Sequence, residues 1–199
     1  RVEKKQRRRN PAAPFITSTL QQEASRKLRF SAQQTMRIAQ QLYEGVDTGN
    51  GTVGLITYMR TDSVNLSQEA IHGLRSLIES RFGKEKLPAT PNQYRTRAKN
   101  AQEAHEGIRP TDPERQPEAL KNHLSNDQYR LYDLIWKRTV ACQMIHATID
   151  TVSVDLAAGD TANFRATGST IRDPGFMAVY QEDGDDRTAD ASERILPPL

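Results

Sequence analysis

The sequence predicts an α+β protein, in which a mainly helical body precedes a small antiparallel β unit. Between about residues 17 and 146, apolar side chains recur at helical spacing and follow serines that can cap helices. From Ala147 onwards the apolar period becomes two, which is typical of strands. With 36% hydrophobic residues, the 199-residue chain can bury a core and is long enough for one or two domains.

Serines at capping positions predict the first two helices. Ser18 with Gln21 and Ser31 with Gln34 fit the capping box, in which each side chain accepts a hydrogen bond from the other residue's backbone N–H. The second helix is predicted to end at Gly45. Its inward face is predicted to carry Ala32, Met36, Ala39 and Tyr43.

Two further helices are predicted by the same signals. Ser67 can cap a helix that reaches about Phe82, and Ser125 can cap a last long helix. The inward face of that last helix is predicted to carry Tyr132, Ile135, Trp136 and Val140.

A polar loop with several prolines separates these two helices, over residues 84 to 112. Within it, a single helical turn would place His105 and Arg109 on one side of the backbone. The loop is therefore a second segment that can present charged side chains together.

The β unit is predicted from Ala147 to about residue 181. Apolar Val152, Val154 and Leu156 alternate with polar residues, and a turn at Gly159-Asp160 leads into a second strand over residues 163 to 171. A third strand is predicted over residues 176 to 181. Because three strands are only marginally stable alone, the sheet is expected to continue in further sequence or to pair with residues 1 to 16.

The stretch Gly54 to Ser67, GLITYMRTDSVNLS, carries the candidate chemistry. Tyr58, Arg60 and Asp62 alternate, so an extended backbone would send all three side chains to one face. A tyrosine phenol has an ordinary pKa near ~10 and needs nearby positive charge to act as a nucleophile. The planar guanidinium of Arg60 could supply that charge while binding two phosphate oxygens.

A simpler interpretation of the same residues is favoured by their spacing alone. In it, Tyr58 is an ordinary half-buried strand residue, and Arg60 with Asp62 forms a surface ion pair. The choice between the two interpretations rests on the wider context of the motif.

Three segments of the chain resemble signatures of the type IA DNA topoisomerase family and occur in the family's order. They are PFITSTLQ at residues 14 to 21, GLITYMRTDS at 54 to 63, and QEAHEGIRP at 102 to 110. The residue after the tyrosine, Met59, resembles the residue found at that position in the bacterial branch of the family. Gly107 stands where the family usually has alanine.

The resemblance implies a division into two domains. Residues 18 to 145 would be a helical domain that carries the active-site tyrosine, inserted into a small antiparallel β-rich hinge domain. Residues 1 to 17 and 146 to 199 would both belong to that hinge domain.

The resemblance also implies the activity and the role of each candidate residue. Tyr58 would attack a phosphate of single-stranded DNA and form a 5′-phosphotyrosine, which allows strand passage, religation and relaxation of negative supercoils without ATP. Arg60 would hold the scissile phosphate, and His105 and Arg109 would bind DNA nearby. Asp62 would have a supporting role, either orienting Arg60 or capping the turn before Ser63.

Enzymes of this family use Mg²⁺, and the ligands for it are expected outside this chain. The sequence contains no Asp-x-Asp-x-Glu cluster after a strand, and its single cysteine, Cys142, rules out a cysteine zinc site and predicts a small core residue. The chain starts in a charged run without a methionine and is expected to be an internal fragment. It would lack the family's metal-binding and DNA-groove domains and be inactive alone.

Composition limits the partners and the compartment. The net charge is only +3, although six basic residues crowd the first nine positions. No apolar run approaches the ~20 residues of a membrane span, and no signal sequence opens the chain, so a cytoplasmic, nucleoid-associated protein is expected.

Two alternative functions compete with the topoisomerase interpretation. One is a non-catalytic module that binds DNA or a partner, which the basic N-terminus would support. The other is a tyrosine recombinase, which is disfavoured because those enzymes need a dispersed Arg-His-Arg set around a tyrosine late in the domain.

Overall fold

A computed structural model of the chain describes residues 1–49, 51–94, 105–159 and 162–181. Its mixture of helices and small antiparallel sheets confirms the predicted α+β class. The helices are α1 Thr17–Glu23, α2 Ala32–Glu44, α3 Gln68–Phe82, α4 Pro117–Leu120 and α5 Asn126–Cys142. The strands are β1 Val2–Arg9, β2 Val46–Asp47, β3 Thr52–Val53, β4 Ala147–Ala158 and β5 Ala162–Asp173.

The N-terminal basic run forms a strand of the larger sheet. The order in that sheet is β1-β4-β5, and β1 pairs antiparallel with β4 from Val2 opposite Val154 to Arg9 opposite Ala147. Of the two possibilities open from the sequence, pairing with residues 1 to 16 is therefore the one observed. The predicted hairpin of β4 and β5 is also confirmed, although Asp160 of its turn lies outside the described residues.

The third strand predicted over residues 176 to 181 is wrong. The chain instead forms a 3₁₀ helix over Gly175–Ala178. The Asp173 carboxylate accepts a hydrogen bond from the Gly175 N–H, and the Phe176 N–H donates to the carbonyl of Ile145. These bonds turn the chain back onto the helical body, where the side chains of Phe176 and Tyr180 are buried.

Gly175 is essential to this reversal, and Gly175→Ala is expected to destabilise the protein strongly. Its φ is +48°, and an added Cβ would lie 2.3 Å from the carbonyl oxygen of His146. We expect the free energy of unfolding to fall by about 3 kcal/mol or more, measured by urea denaturation. The matched control is Gly159→Ala, at φ +62°, where an added Cβ would meet no described atom within 4 Å and should cost about 1 kcal/mol. Equal losses in the two variants would contradict the steric explanation.

The caps of three helices are as predicted, and that of α1 is not. The side chains of Ser31, Ser67 and Ser125 each accept a hydrogen bond from the backbone N–H three residues later. By contrast α1 begins at Thr17, one residue before the predicted cap Ser18. Its first turn is closed by Thr19, whose hydroxyl accepts from the Ile16 N–H at 3.0 Å.

The predicted inward face of α2 is only partly right. The buried residues are Thr35, Ile38, Ala39 and Leu42, whereas Ala32 and Tyr43 are exposed. The larger side chains of Ile38 and Leu42 turn the helix so that they enter the core. This rotation leaves Tyr43 at the surface beside Tyr58.

Helix α5 forms the centre of the core and holds the segment that leads into α1. Its four predicted inward residues are all buried. Buried Arg138 donates from Nε to the carbonyl of Ala13 at 2.6 Å, and its guanidinium lies 4.8 Å from the centre of the Phe15 ring. Cys142 is a buried core residue as predicted, and burial raises the pKa of its thiol to about 12.

In the described part of the chain, no helix combines the length and the apolar character needed to cross a membrane.

Candidate active site around Tyr58

The segment before Tyr58 is held on both sides by other parts of the chain. The Leu55 N–H donates to the carbonyl of Leu42 at 2.7 Å, and the Thr57 N–H donates to the carbonyl of Arg109 at 2.9 Å. The run is extended, but its regular strand is only β3, followed by an isolated bridge between Ile56 and Pro110. Tyr58 therefore follows a backbone that is fixed by contacts distant in sequence.

The predicted alternation after this segment is confirmed by burial. Tyr58, Arg60 and Asp62 are exposed, whereas Met59 and Thr61 are 0% and 8% exposed. Tyr58 itself is 43% exposed. An anchored backbone thus presents the three polar side chains to solvent.

The Tyr58 ring lies between two other rings. The ring centre of Tyr43 is 5.4 Å away and that of His105 is 6.4 Å away, both in edge-to-face arrangements. These contacts restrict the direction of the phenol while leaving it accessible.

Two adjoining cavities share His105 and Thr61 in their walls. One, of about 330 Å³, is lined by Tyr58, and the other, of about 580 Å³, is lined by Arg60. The remaining residues of the larger cavity are Ile16, Thr17, Ser18, Gln21 and Asp62. The structure therefore brings Tyr58, Arg60 and His105 together, as the sequence predicts.

Asp62 does not make either of the contacts expected of it. Among the described residues no hydrogen bond or ion pair joins it to Arg60, so the simpler surface ion pair is absent as well. The turn is capped instead by Thr61, whose hydroxyl accepts from the Ser63 N–H at 3.0 Å. Asp62 shares only the cavity wall with Arg60.

His105 and Arg109 lie in an irregular loop, as the sequence predicts, with isolated bridges at Ile108 and Pro110. The Gly107 N–H donates to the carbonyl of Asn65, and the Ile108 N–H donates to the carbonyl of Phe15, both at 2.8 Å. With these N–H groups used by neighbouring segments, no helical turn forms. Residues 102–104 of the motif lie outside the described residues.

Arg109 is engaged within the protein. Its guanidinium donates to the Glu106 carboxylate at 2.6 and 3.0 Å and to the carbonyl of Pro110 at 2.9 Å. Glu106 also accepts from the Ser67 N–H at 2.5 Å, which ties the segment to the start of α3. Burial raises the pKa of Glu106, but the Ser67 hydrogen bonds and the Arg109 charge outweigh it, so its pKa lies below the ordinary value. DNA binding by Arg109 stays a prediction.

The described residues around Tyr58 do not fit a magnesium site. Hard cations need several oxygen ligands, but the Glu106 carboxylate is already occupied by Arg109 and Ser67, and Asp62 is the only acidic residue among the described residues that line the larger cavity. Within the described ranges, no group of three acidic, histidine or cysteine side chains is placed to hold a metal ion.

Three residues near Tyr58 were not predicted as part of the site. The Thr57 hydroxyl donates to the carbonyl of Gly107 at 2.8 Å and accepts from the Arg109 N–H at 3.0 Å. Thr17 contacts the backbone on both sides of Arg60. The periodicity of α2 predicts Tyr43 as an inward residue, whereas its ring is exposed beside Tyr58. The two threonines lie inside the motif segments, which is the signal that could have found them.

An exposed tyrosine and an exposed arginine, on two cavities that share His105 and Thr61 in their walls, are suited to the transfer of a phosphoryl group to tyrosine. The family model described as DNA topoisomerase matches residues 1–199 of this chain. The chain belongs to the DNA topoisomerase family.

Curated relatives and a solved structure agree with this assignment. The chain is 58% identical over 201 residues to DNA topoisomerase 1 of Xylella fastidiosa strain Temecula1 and 54% identical over 200 residues to that of Rickettsia felis. Both alignments cover 100% of this chain but 25% and 26% of the relatives, so it spans about a quarter of their length. Full-length topoisomerase I from Thermotoga maritima superposes with a TM-score of 0.79 at 39% identity, covering 93% of this chain and 30% of that one.

Proposed function

We propose that this chain is the tyrosine-bearing part of a longer type IA DNA topoisomerase that relaxes negatively supercoiled DNA. The observation that carries the proposal is the grouping of exposed Tyr58 with Arg60 and His105 on two adjoining cavities. The substrate is a single strand of DNA, which presents its phosphodiester to the phenol. No ATP is needed, because the phosphotyrosine bond conserves the energy for rejoining.

In the proposed reaction the Tyr58 oxygen attacks phosphorus and forms a bond to the 5′ phosphate. The phenol loses its proton, the bond to the 3′ oxygen breaks, and that oxygen is protonated to a 3′ hydroxyl. Arg60 binds two non-bridging oxygens and stabilises the charge that develops on them. His105, at the junction of both cavities, contacts the DNA backbone nearby. The reverse reaction rejoins the strand after passage.

We extend the proposal to the domains and to the parts outside this chain. Residues 18 to 145 form the tyrosine domain, and residues 1 to 17 with 146 to 199 belong to a β-rich hinge domain, which the pairing of β1 with β4 supports. The Mg²⁺ that the reaction uses takes its ligands from a separate metal-binding domain, and a further domain shapes the single-strand groove. The full-length protein acts at the bacterial nucleoid.

The proposal is tested by trapping the covalent adduct of the full-length protein. An oligonucleotide labelled at its 3′ end should transfer the label to the protein when the reaction is stopped with detergent, whereas a 5′ label should leave on a free fragment. Peptide mass spectrometry should locate the nucleotide on Tyr58. A label transferred from the 5′ end, or a nucleotide on another residue, would contradict the proposal.

The 199-residue chain alone is expected not to relax negatively supercoiled plasmid in the presence of Mg²⁺. Metal ions stabilise phosphoryl transfer only where their ligands are present, and the described residues around Tyr58 do not offer them. The measurement is plasmid relaxation by gel electrophoresis, with the full-length protein as the positive control. Robust relaxation by the chain alone would show that its active site is complete.

A further inference from the structure

Thr17 is the part of the PFITSTLQ segment that reaches the loop carrying Arg60. The Thr17 hydroxyl donates to the carbonyl of Met59 at 2.8 Å, with the carbonyl of Thr61 at 3.1 Å. The same hydroxyl accepts from the Thr61 N–H at 2.9 Å. The Thr17 backbone N–H also donates to the carbonyl of Thr61 at 3.0 Å.

These hydrogen bonds hold the backbone on both sides of Arg60. Met59 and Thr61 are both buried, so the backbone on either side of Arg60 cannot shift without breaking hydrogen bonds in the protein interior. Arg60 itself is exposed, and the structure gives its side chain no hydrogen bond or ion pair among the described residues. The point from which the Arg60 side chain extends is therefore set by the backbone, and Thr17 holds that backbone in place.

We propose that Thr17 is a positioning residue that aims Arg60 at the scissile phosphodiester. The inference rests on the proposed function, because it names a residue that prepares the same site. A planar guanidinium binds two phosphate oxygens only in a narrow range of orientations, unlike a point charge. An error of about 1 Å in such a group can cost on the order of a hundredfold in rate. Thr17 limits that error without touching the DNA phosphate itself.

The test uses the full-length protein with Thr17→Val, which keeps the shape of the side chain and removes the hydroxyl. We expect single-turnover cleavage of a bound oligonucleotide to slow by at least about tenfold, because the guanidinium loses its orientation. The dissociation constant for the oligonucleotide should change by less than about twofold, because other cations still contact the backbone. Thr17→Ser, which retains the hydroxyl, should recover most of the cleavage rate.

Two controls separate positioning from general destabilisation. Thr19→Val removes a hydroxyl in the same turn of α1 that, among the described residues, bonds only to Ile16, and this variant should cleave at the normal rate. If Thr17→Val does not fold, Thr17→Ala, which removes the hydroxyl together with the methyl group, gives the same measurement. A rate loss shared by Thr19→Val, or one that Thr17→Ser does not recover, would overturn the proposal.

A double-mutant cycle between Thr17 and Arg60 gives the sharpest test of the proposal. If Thr17 acts through the guanidinium, Thr17→Val should cost little in an Arg60→Lys background, where the planar group is already missing. A cost equal to that in the wild type would overturn the proposal, since it would show an effect independent of Arg60.

Tyr58→Phe in the same assay distinguishes an error in the proposed function from an error in the role of Thr17. If Tyr58→Phe still forms the adduct, the proposed function itself is wrong. If Tyr58→Phe abolishes the adduct while Thr17→Val cleaves normally, only the role of Thr17 is wrong.

Discussion

Tyr58→Phe in the full-length protein is expected to abolish both the covalent DNA adduct and plasmid relaxation. The change removes one oxygen from a ring that is 43% exposed, so its packing against Tyr43 and His105 should persist. Loss of a nucleophile commonly lowers a rate by on the order of ten-thousandfold or more. Oligonucleotide affinity should stay within about twofold, because the phosphate contacts are unchanged.

Tyr43→Phe is the matched control for this experiment. It removes the hydroxyl of the neighbouring exposed ring, 5.4 Å from Tyr58 between ring centres, and should leave the adduct intact. Both variants are measured by adduct yield on a denaturing gel and by relaxation. Normal adduct formation by Tyr58→Phe would favour the alternative in which this chain is a non-catalytic module that binds DNA or a partner.

Arg60→Lys in the full-length protein is expected to slow cleavage by on the order of a hundredfold. Lysine keeps the positive charge but lacks the planar fork that grips two phosphate oxygens. Oligonucleotide affinity should fall much less than the cleavage rate, because other cations still contact the DNA backbone. The measurement compares single-turnover cleavage and the dissociation constant for the wild type and the variant.

Arg37→Lys provides the control for Arg60→Lys. Arg37 is an exposed residue of α2 that lines neither of the two cavities, so its replacement should change neither quantity. Equal losses of affinity and rate in Arg60→Lys would make Arg60 a binding residue. Cleavage near the wild-type rate would remove Arg60 from the active site.

Features that depend on nearby residues could be predicted from the sequence. The caps at Ser31, Ser67 and Ser125 were predicted because a serine hydroxyl and an N–H three residues later meet within one helical turn. The alternating exposure of Tyr58, Arg60 and Asp62 was predicted from the spacing of polar residues, although the backbone bends at Met59 and Arg60 instead of staying extended. Short motifs likewise indicated the family and the candidate nucleophile.

Features that depend on distant partners were decided only by the tertiary structure. Thr17 replaces Ser18 at the start of α1 because it bonds to Thr61, 44 residues away. The segment at Gly175 bends away from the sheet because its backbone meets Ile145.

Contacts with distant segments also decide which of the two motif arginines, Arg60 or Arg109, is available to bind a substrate. Arg109 lies in a segment tied to α3 through Glu106, so its guanidinium is occupied inside the protein. Arg60 lies between two buried residues that Thr17 holds, so its side chain stays at the cavity wall. Local sequence determined that both arginines were present and where the backbone could be extended. Which of them was left available was decided by hydrogen bonds that form only when distant segments pack together.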